Sequence, residues 1–461
     1  MSEQYIKFLR EAEVKSFDSV HRKKLDFNIG RYDAAVIKGK KQFCDYELAR
    51  KRAAHIKYKS LTNLDKYLTE FEANFIKRGG KVIWAPHEKD VQREVLNIIK
   101  EHNAQVIVKQ KTMVTEETEL NELLEKNKKE VFETDLGEYI VQIAGEKPYH
   151  ILTPAMHKSK EDVAALFHEK FGLPENSKPE EITAFVREKL RKEFIRADVG
   201  ITGCNFLVAD PGAISLVENE GNGLLSISFP KVHIVIAGIE KIIPSMEDLD
   251  LFLPLLATQG TGQNITVYNN IVFGPRTLLE NDGPEEMYVI LMDNHRTDIL
   301  KQKEQRRALS CIRCGACLNG CPIYRSVGGY TYNTTYSGPI GSVISPFLRG
   351  FKDYNHLSFA SSLCGKCSEV CPVNIPLHEL LLYNRNETVK RKHIQSNWKF
   401  IMFGWKKVML NRWMMDTSGA GLKNSMVNMF GKKMWGPRRT LPKIAPRNFK
   451  QMWEEKRNFK K

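Results

Sequence analysis

Cys311-Ile-Arg-Cys314-Gly-Ala-Cys317-Leu-Asn-Gly-Cys321-Pro322 decides how this chain is read, and Cys364-Gly-Lys-Cys367-Ser-Glu-Val-Cys371-Pro372 repeats most of it. Seven of the nine cysteines sit in these two runs. Two-residue gaps let a tight turn present successive sulfurs to one inorganic core, with backbone N–H groups pointing at the core's sulfides. Four cysteines closing on Cys-Pro follow the two-cluster iron–sulfur spacing, in which the fourth thiolate crosses to the other cluster. Each proline fixes φ and removes an N–H donor directly after a terminal ligand, so the chain turns away from the core.

On that logic a first [4Fe-4S] cluster takes Cys311, Cys314, Cys317 and Cys371. A second takes Cys321, Cys364 and Cys367. That is seven thiolates where two cubanes need eight, and the vacant position, three residues before Cys364, holds Ser361. Three outcomes stay open there. Ser361 binds as an alkoxide, another group such as water or His356 completes a [4Fe-4S] core, or the site holds a [3Fe-4S] core. Structural zinc is the competing reading of paired Cys-x2-Cys units. Seven cysteines with no correctly spaced histidine fit it badly, and the Cys-Pro endings have no role at zinc. Cys44 and Cys204 stand apart and are expected as small buried side chains.

The 42 residues between Cys321 and Cys364 exceed what a compact two-cluster ferredoxin uses, and they predict a helical module. In this it is similar to the iron–sulfur subunits of succinate dehydrogenases. Upstream, a helix over Arg296–Leu309 would deliver the chain to Cys311. Residues 1 to about 75 read as helical from apolar spacing of three and four, and Gly79-Gly80 closes that stretch. Strands are expected at Lys81–Ala85, Gln105–Val108 and Val131–Phe132, with a short extended piece at His150–Leu152. Helices alternate with them at Asp90–Glu101, Glu116–Lys129, Lys160–Phe171 and Glu180–Ile195. Further strands are expected at Asn205–Ala209, Ala213–Glu218, Leu224–Ser228, Val232–Ala237, Ile265–Val267 and Met287–Met292. Alternation of this kind implies parallel βαβ units in an α/β domain. The expected organisation is a helical segment 1–60, an α/β domain 61–296, a mainly α-helical ferredoxin-like module 297–385 and a tail 386–461.

The net charge of +15 is carried by that tail: Lys390–Lys461 holds 19 Lys and Arg against three acids. Within it, 398–415 interleaves Trp, Phe and Met with charge, as an amphipathic helix would. It could pack on the body or a partner subunit, touch an anionic membrane surface, or bind nucleic acid. The aromatic content makes the last the least fitting. Trp435–Arg439 and the closing basic cluster are expected to be extended. Clustered cysteines, no apolar run of about 20 residues and no basic-then-apolar start predict a cytoplasmic protein, with peripheral membrane contact left open.

The segment Gly200-Ile-Thr-Gly203, running on to Val217-Glu-Asn-Glu-Gly-Asn-Gly223, together with Phe229-Pro-Lys-Val-His-Ile234, Thr258-Gln-Gly-Thr-Gly262 and both cysteine runs, resembles the lactate utilization protein B family. The resemblance spans roughly residues 60 to 375. It implies a LUD domain, similar to sugar-phosphate isomerase and CoA-transferase folds, and electron transfer in oxidation of L-lactate to pyruvate. The implied partners are a cysteine-rich subunit of the heterodisulfide-reductase type and a smaller protein carrying only the LUD domain. The implied enzyme is a quinone- or cytochrome-linked lactate dehydrogenase complex. No Gly-x-Gly-x-x-Gly lies between a strand and a helix, so NAD is not expected. No catalytic residue is assigned. Glu218 and Glu220 are the candidates, with a polar turn as the preferred reading of their segment. The alternative function is a catalytic subunit acting on an acyl or sugar-phosphate substrate through the α/β domain.

Overall fold

The computed structural model describes residues 2–394, 396–416, 419–431 and 440–458. Met1–Lys390 forms one compact unit and Arg391–Lys461 a second.

The first unit is built on a six-stranded, all-parallel sheet. Its strands are β1 Lys81–Ala85, β2 Val106–Lys109, β3 Glu130–Glu133, β4 Val199–Thr202, β7 Val232–Gly238 and β10 Glu286–Met292, in the order β1-β10-β7-β4-β2-β3. Between them run β5 Phe206–Val208, β6 Ala213–Glu218, β8 Ile242–Ile243 and β9 Tyr268–Val272, which form a smaller sheet β8-β5-β6-β9. Both faces of the large sheet are covered, as parallel sheets require. Ile234, Ile236, Tyr288 and Ile290 face the helix Glu88–Glu101. Their neighbours Val235, Ala237, Val289 and Leu291 face Phe71 and Phe75 of the helix Leu64–Lys77 and the small sheet. Period-two alternation within continuous apolar runs sorts these side chains between two cores.

The cysteine module is helical, with Pro322–Val327, Gly338–Leu348 and Leu377–Lys390 as its principal helices. Its core also takes in Phe8, Leu25, Ile29 and Ala53 from the first helices of the chain, and Phe252, Leu255 and Leu256 from the helix Leu249–Thr261. The N-terminal segment therefore packs on the module some 300 residues downstream. Arg50 makes this concrete: its Nε donates to the Cys371 carbonyl at 2.9 Å.

Several elements differ from expectation. Leu224–Ser228 is not a strand but lies in the helix Asn222–Ser228, because Glu218 accepts from the Gly223 and Leu224 N–H groups and caps its first turn. The strand expected at Ile265–Val267 begins at Tyr268, after a turn held by Thr266 Oγ1 donating to Asn269 Oδ1. Glu116–Lys129 breaks into Met113–Glu117 and Leu120–Lys126 at Glu119, whose φ is +49°. Arg296–Leu309 likewise breaks into Arg296–Leu300 and a 3-10 turn Gln305–Ser310. His150–Leu152 is not extended, since His150 Nδ1 accepts from the Leu152 and Thr153 N–H groups. Cys44 is exposed, not buried; Cys204 is buried as expected.

In the second unit, Ser396–Met409 and Arg412–Asp416 are helical, with Trp398, Phe400, Phe403 and Trp405 exposed. The closing basic cluster is not extended at Lys456 and Arg457, which end the helix Phe449–Asn458. Trp435–Arg439, Lys460 and Lys461 lie outside the described residues. Among the described residues no helix is long and apolar enough to cross a membrane.

Candidate metal centre and adjoining cavity

The two cysteine runs fold into the same turn twice. Arg313 (φ +62°) and Gly315 (φ +75°) in the first run match Leu363 (φ +54°) and Gly365 (φ +82°) in the second. Each glycine opens a one-turn helix, Ala316–Asn319 or Lys366–Glu369. Left-handed backbone at Arg313 and Leu363 is disfavoured by about 1–2 kcal/mol each. In return it turns the N–H of the third residue back onto the first. The Arg313 N–H donates to Cys311 Sγ at 3.4 Å, and the Leu363 N–H donates to Ser361 Oγ at 3.1 Å. Ser361 thus occupies in the second turn the place that Cys311 occupies in the first.

The thiols fall into two groups. Burial and the neighbouring Cys311 and Cys371 push Cys314 up, and burial with Cys311, Cys314 and Cys371 pushes Cys317 far up. Burial raises Cys371 to about 11, with Cys311 adding to it. In the other group burial raises Cys321, with Cys364 adding to it. Burial, then Cys321 and Cys364, raises Cys367 to about 11. Burial drives Tyr332 well above the ordinary phenol range, with Cys321 and Cys317 adding to it. Mutually repelling buried thiolates are a poor arrangement unless a multivalent cation compensates them. Seven thiols, four in one group and three in the other, are the all-thiolate kind of donor set that iron–sulfur clusters take, so the residues present fit such clusters.

The exposure of the groups differs. Cys314, Cys317 and Cys371 are buried, whereas Cys364 is exposed. His356, named as a possible extra ligand, packs against Tyr5 and Phe8 at ring separations of 5.4 and 5.3 Å.

A buried ionic network joins the module to the α/β domain. Arg296 donates to both oxygens of Glu117 at 2.9 Å and to Glu240 at 2.6 Å. Tyr336 and Asn294 each donate to Glu117 at 2.7 Å, and Arg313 to Glu240 at 3.2 Å. Burial alone would raise Glu240, but Arg296 and Arg313 outweigh it and hold it at about 2.

Beside this network lies a cavity of about 360 Å³, walled by both the α/β domain and the module. Glu218 and Glu220 both line it. They differ in what remains free. Glu218 is fully engaged by Gly223, Leu224 and Asn270, a helix-capping role that sequence reasoning did not assign. Among the described residues Glu220 accepts only from the Leu136 N–H, and burial together with Asp135 raises it to about 7. At Gly223 a Cβ would stand 2.5 Å from Gln110 Nε2 and 2.9 Å from Glu218 Oε2, so both side chains would have to shift. Lys241, Gln110 and Arg313 line the same cavity and were missed. Gln110 and Lys241 are far apart in sequence and follow the C-terminal ends of the parallel strands β2 and β7, so only the fold brings them to Arg313.

Residues 68–292 match the family model of the LUD domain, and residues 307–375 match that of the 4Fe-4S dicluster domain. Lactate utilization protein B of Bacillus licheniformis is 46% identical over 363 residues, covering 78% of this chain and 76% of the relative. The Bacillus subtilis protein of that name is 47% identical over 349 residues, covering 76% and 73%. The Shouchella clausii protein is 44% identical over 366 residues, covering 79% and 77%. A crystal structure of a DUF162 family protein from Deinococcus radiodurans aligns over 50% of this chain and 98% of its own, at 14% identity and a TM-score of 0.27. With LUD and dicluster domains in sequence and relatives this similar over three quarters of its length, the chain belongs to the lactate utilization protein B family.

Proposed function

We propose that this chain carries electrons in the oxidation of L-lactate to pyruvate, from a partner that oxidises lactate to a downstream acceptor. The observation that supports it most is the pair of equivalent turns gathering seven thiols into two groups, one buried and one reaching the surface at Cys364. Cys311, Cys314, Cys317 and Cys371 would hold a first [4Fe-4S] cluster. Cys321, Cys364 and Cys367 would hold a second core, with Ser361 Oγ the nearest equivalent of an eighth ligand. One-electron transfer is the chemistry these groups supply when bound. The buried thiols and cavity at one end, and the exposed Cys364 at the other, favour entry at the first group and exit at the second.

The relatives' names supply the substrate. The partners in this reading are a cysteine-rich subunit of the heterodisulfide-reductase type and a smaller LUD-domain protein. The acceptor is a quinone- or cytochrome-linked chain reached from the periphery of a membrane. The test is iron and sulfide content with low-temperature EPR on anaerobically prepared protein, before and after adding lactate with the partners. Iron–sulfur signals that are reduced only when lactate and partners are present support the reading. Zinc in place of iron, or clusters that lactate and partners never reduce, would overturn it.

A further inference from the structure

The polar groups around the cavity do not satisfy one another. Lys241 is 8% exposed and, among the described residues, makes neither a hydrogen bond nor an ion pair within 4 Å. Arg313 directs Nη2 to Glu240 and stacks 4.4 Å over the Tyr336 ring, yet its buried Nη1 has no partner. Gln110 is 5% exposed and its Oε1 has no partner. A buried donor or acceptor left this way is costly, more so when charged. Two such atoms and one ammonium without an ion pair around one cavity describe a ligand: it must offer acceptors to two cations and a donor to an amide oxygen.

Charge narrows the class. Of the carboxylates lining the cavity, Glu240 is paired with Arg296 and Arg313, and Glu218 caps a helix. Asp135 accepts from the Glu138 N–H and Glu220 from the Leu136 N–H on the same wall, and Lys111 is held by the Leu152 carbonyl. The Lys241 ammonium and the open Nη1 of Arg313, whose Nη2 is already on Glu240, leave room for one carboxylate. A phosphorylated or otherwise polyanionic ligand would meet repulsion. The volume, near the lower end of the roughly 300–1,000 Å³ of small-molecule sites, suits a compact acid.

We propose that this cavity binds a small hydroxycarboxylate, its carboxylate on Lys241 and Arg313 and its hydroxyl donating to Gln110. The site follows from the unpartnered groups, and the choice of lactate as probe rests on the functional reading above. Arg313 lies between Cys311 and Cys314, so a ligand on its guanidinium changes the charge beside the first thiol group. No bond to the ligand need be made or broken for this effect.

The test is calorimetric titration of the cluster-loaded full-length protein with L-lactate, and with propionate, which lacks the hydroxyl. Low-temperature EPR of the reduced protein is recorded alongside. Saturable lactate binding, about tenfold weaker for propionate, with a change in the signal of one cluster, is the expected result. Lys241→Met should abolish binding of both acids, and Lys241→Arg should restore it. Gln110→Leu, outside the two cysteine runs, should weaken lactate by about tenfold and leave propionate unchanged. No saturable binding at tens of millimolar, or equal binding of both acids by Gln110→Leu and parent with the parent showing no preference, would overturn the proposal. Iron content and EPR signals read the electron-carrier function separately. Intact clusters, reducible through the partners, in a protein that binds neither acid would remove the cavity proposal alone.

Discussion

Two buried groups of charges behave in opposite ways. Arg296 is bidentate to Glu117 and single to Glu240, with every one of these side chains 1% exposed. Such a group adds little over an apolar core of the same shape, but losing one member strands the others. Arg296→Met should therefore destabilise the protein by about 3–5 kcal/mol, measured by urea unfolding of the cluster-loaded chain. The second group is Glu116, Glu133 and Glu138 around the buried Lys109 ammonium, which lies 2.8 Å from Glu133 and 3.5 Å from Glu116. Three carboxylates and one cation cannot all stay ionised in a dry interior. Burial, then Glu133, drives Glu138 well above the ordinary carboxylate range. A carboxyl whose folded pKa is raised contributes stability at acid pH and loses it as pH rises toward that pKa. Glu138→Gln should match the parent near about pH 5 and melt progressively higher than it toward about pH 8. A constant difference across that range would mean that Glu138 is ionised in the folded state.

At the scale of elements, the sequence pattern was most legible where one force dominated. Five of the six parallel strands were expected, because apolar runs between helices have few other uses, and the antiparallel strand Ala213–Glu218 matches to the residue. Val199–Thr202, a short run with a glycine inside, was not expected. Leu224–Ser228 misled because a five-residue apolar run has no period of its own. Its helix is set by Glu218, whose partners are a backbone turn and Asn270 on another strand. The breaks at Glu119 and after Leu300 also went unannounced, and the helix before the second break starts on an arginine held by two distant carboxylates. The cysteine turns were legible because ligand spacing is local, and their geometry sharpens one prediction. Leu363 donates to Ser361 as Arg313 donates to Cys311. Ser361→Cys should therefore fit the second turn without backbone movement and supply an eighth thiolate. Iron content at or above the parent's, with an altered EPR signal from one cluster only, is the expected outcome. Loss of both signals would show that the two turns are not equivalent.

At the scale of the whole molecule, the chain's two ends have different relations to the cysteine module. The opening helices Glu3–Ser16, Ser19–Gly39 and Tyr46–Thr62 place Phe8, Leu25, Ile29 and Ala53 in one core with Cys314, Cys317, Cys367 and Cys371. Nothing in the local pattern of residues 1–60 announced this, since an amphipathic helix shows that it has an apolar face and not what covers it. The basic tail is a separate compact unit. Removing residues 1–44 would uncover the apolar side chains packed beside the buried thiols and admit water and oxygen. Full burial of each such side chain is worth about 1.5–3 kcal/mol, so the truncated chain should lose several of these increments at once. Its iron content should fall and its unfolding should shift to lower urea. Truncation after Lys390 removes the whole net positive charge of +15 and none of that core. It should leave iron content, EPR signals and unfolding midpoint unchanged. If reduction by lactate and partners is then slower, and the loss grows as salt is lowered, the tail's charge serves docking of a partner or membrane surface. If clusters are lost with the tail, the module depends on both ends of the chain.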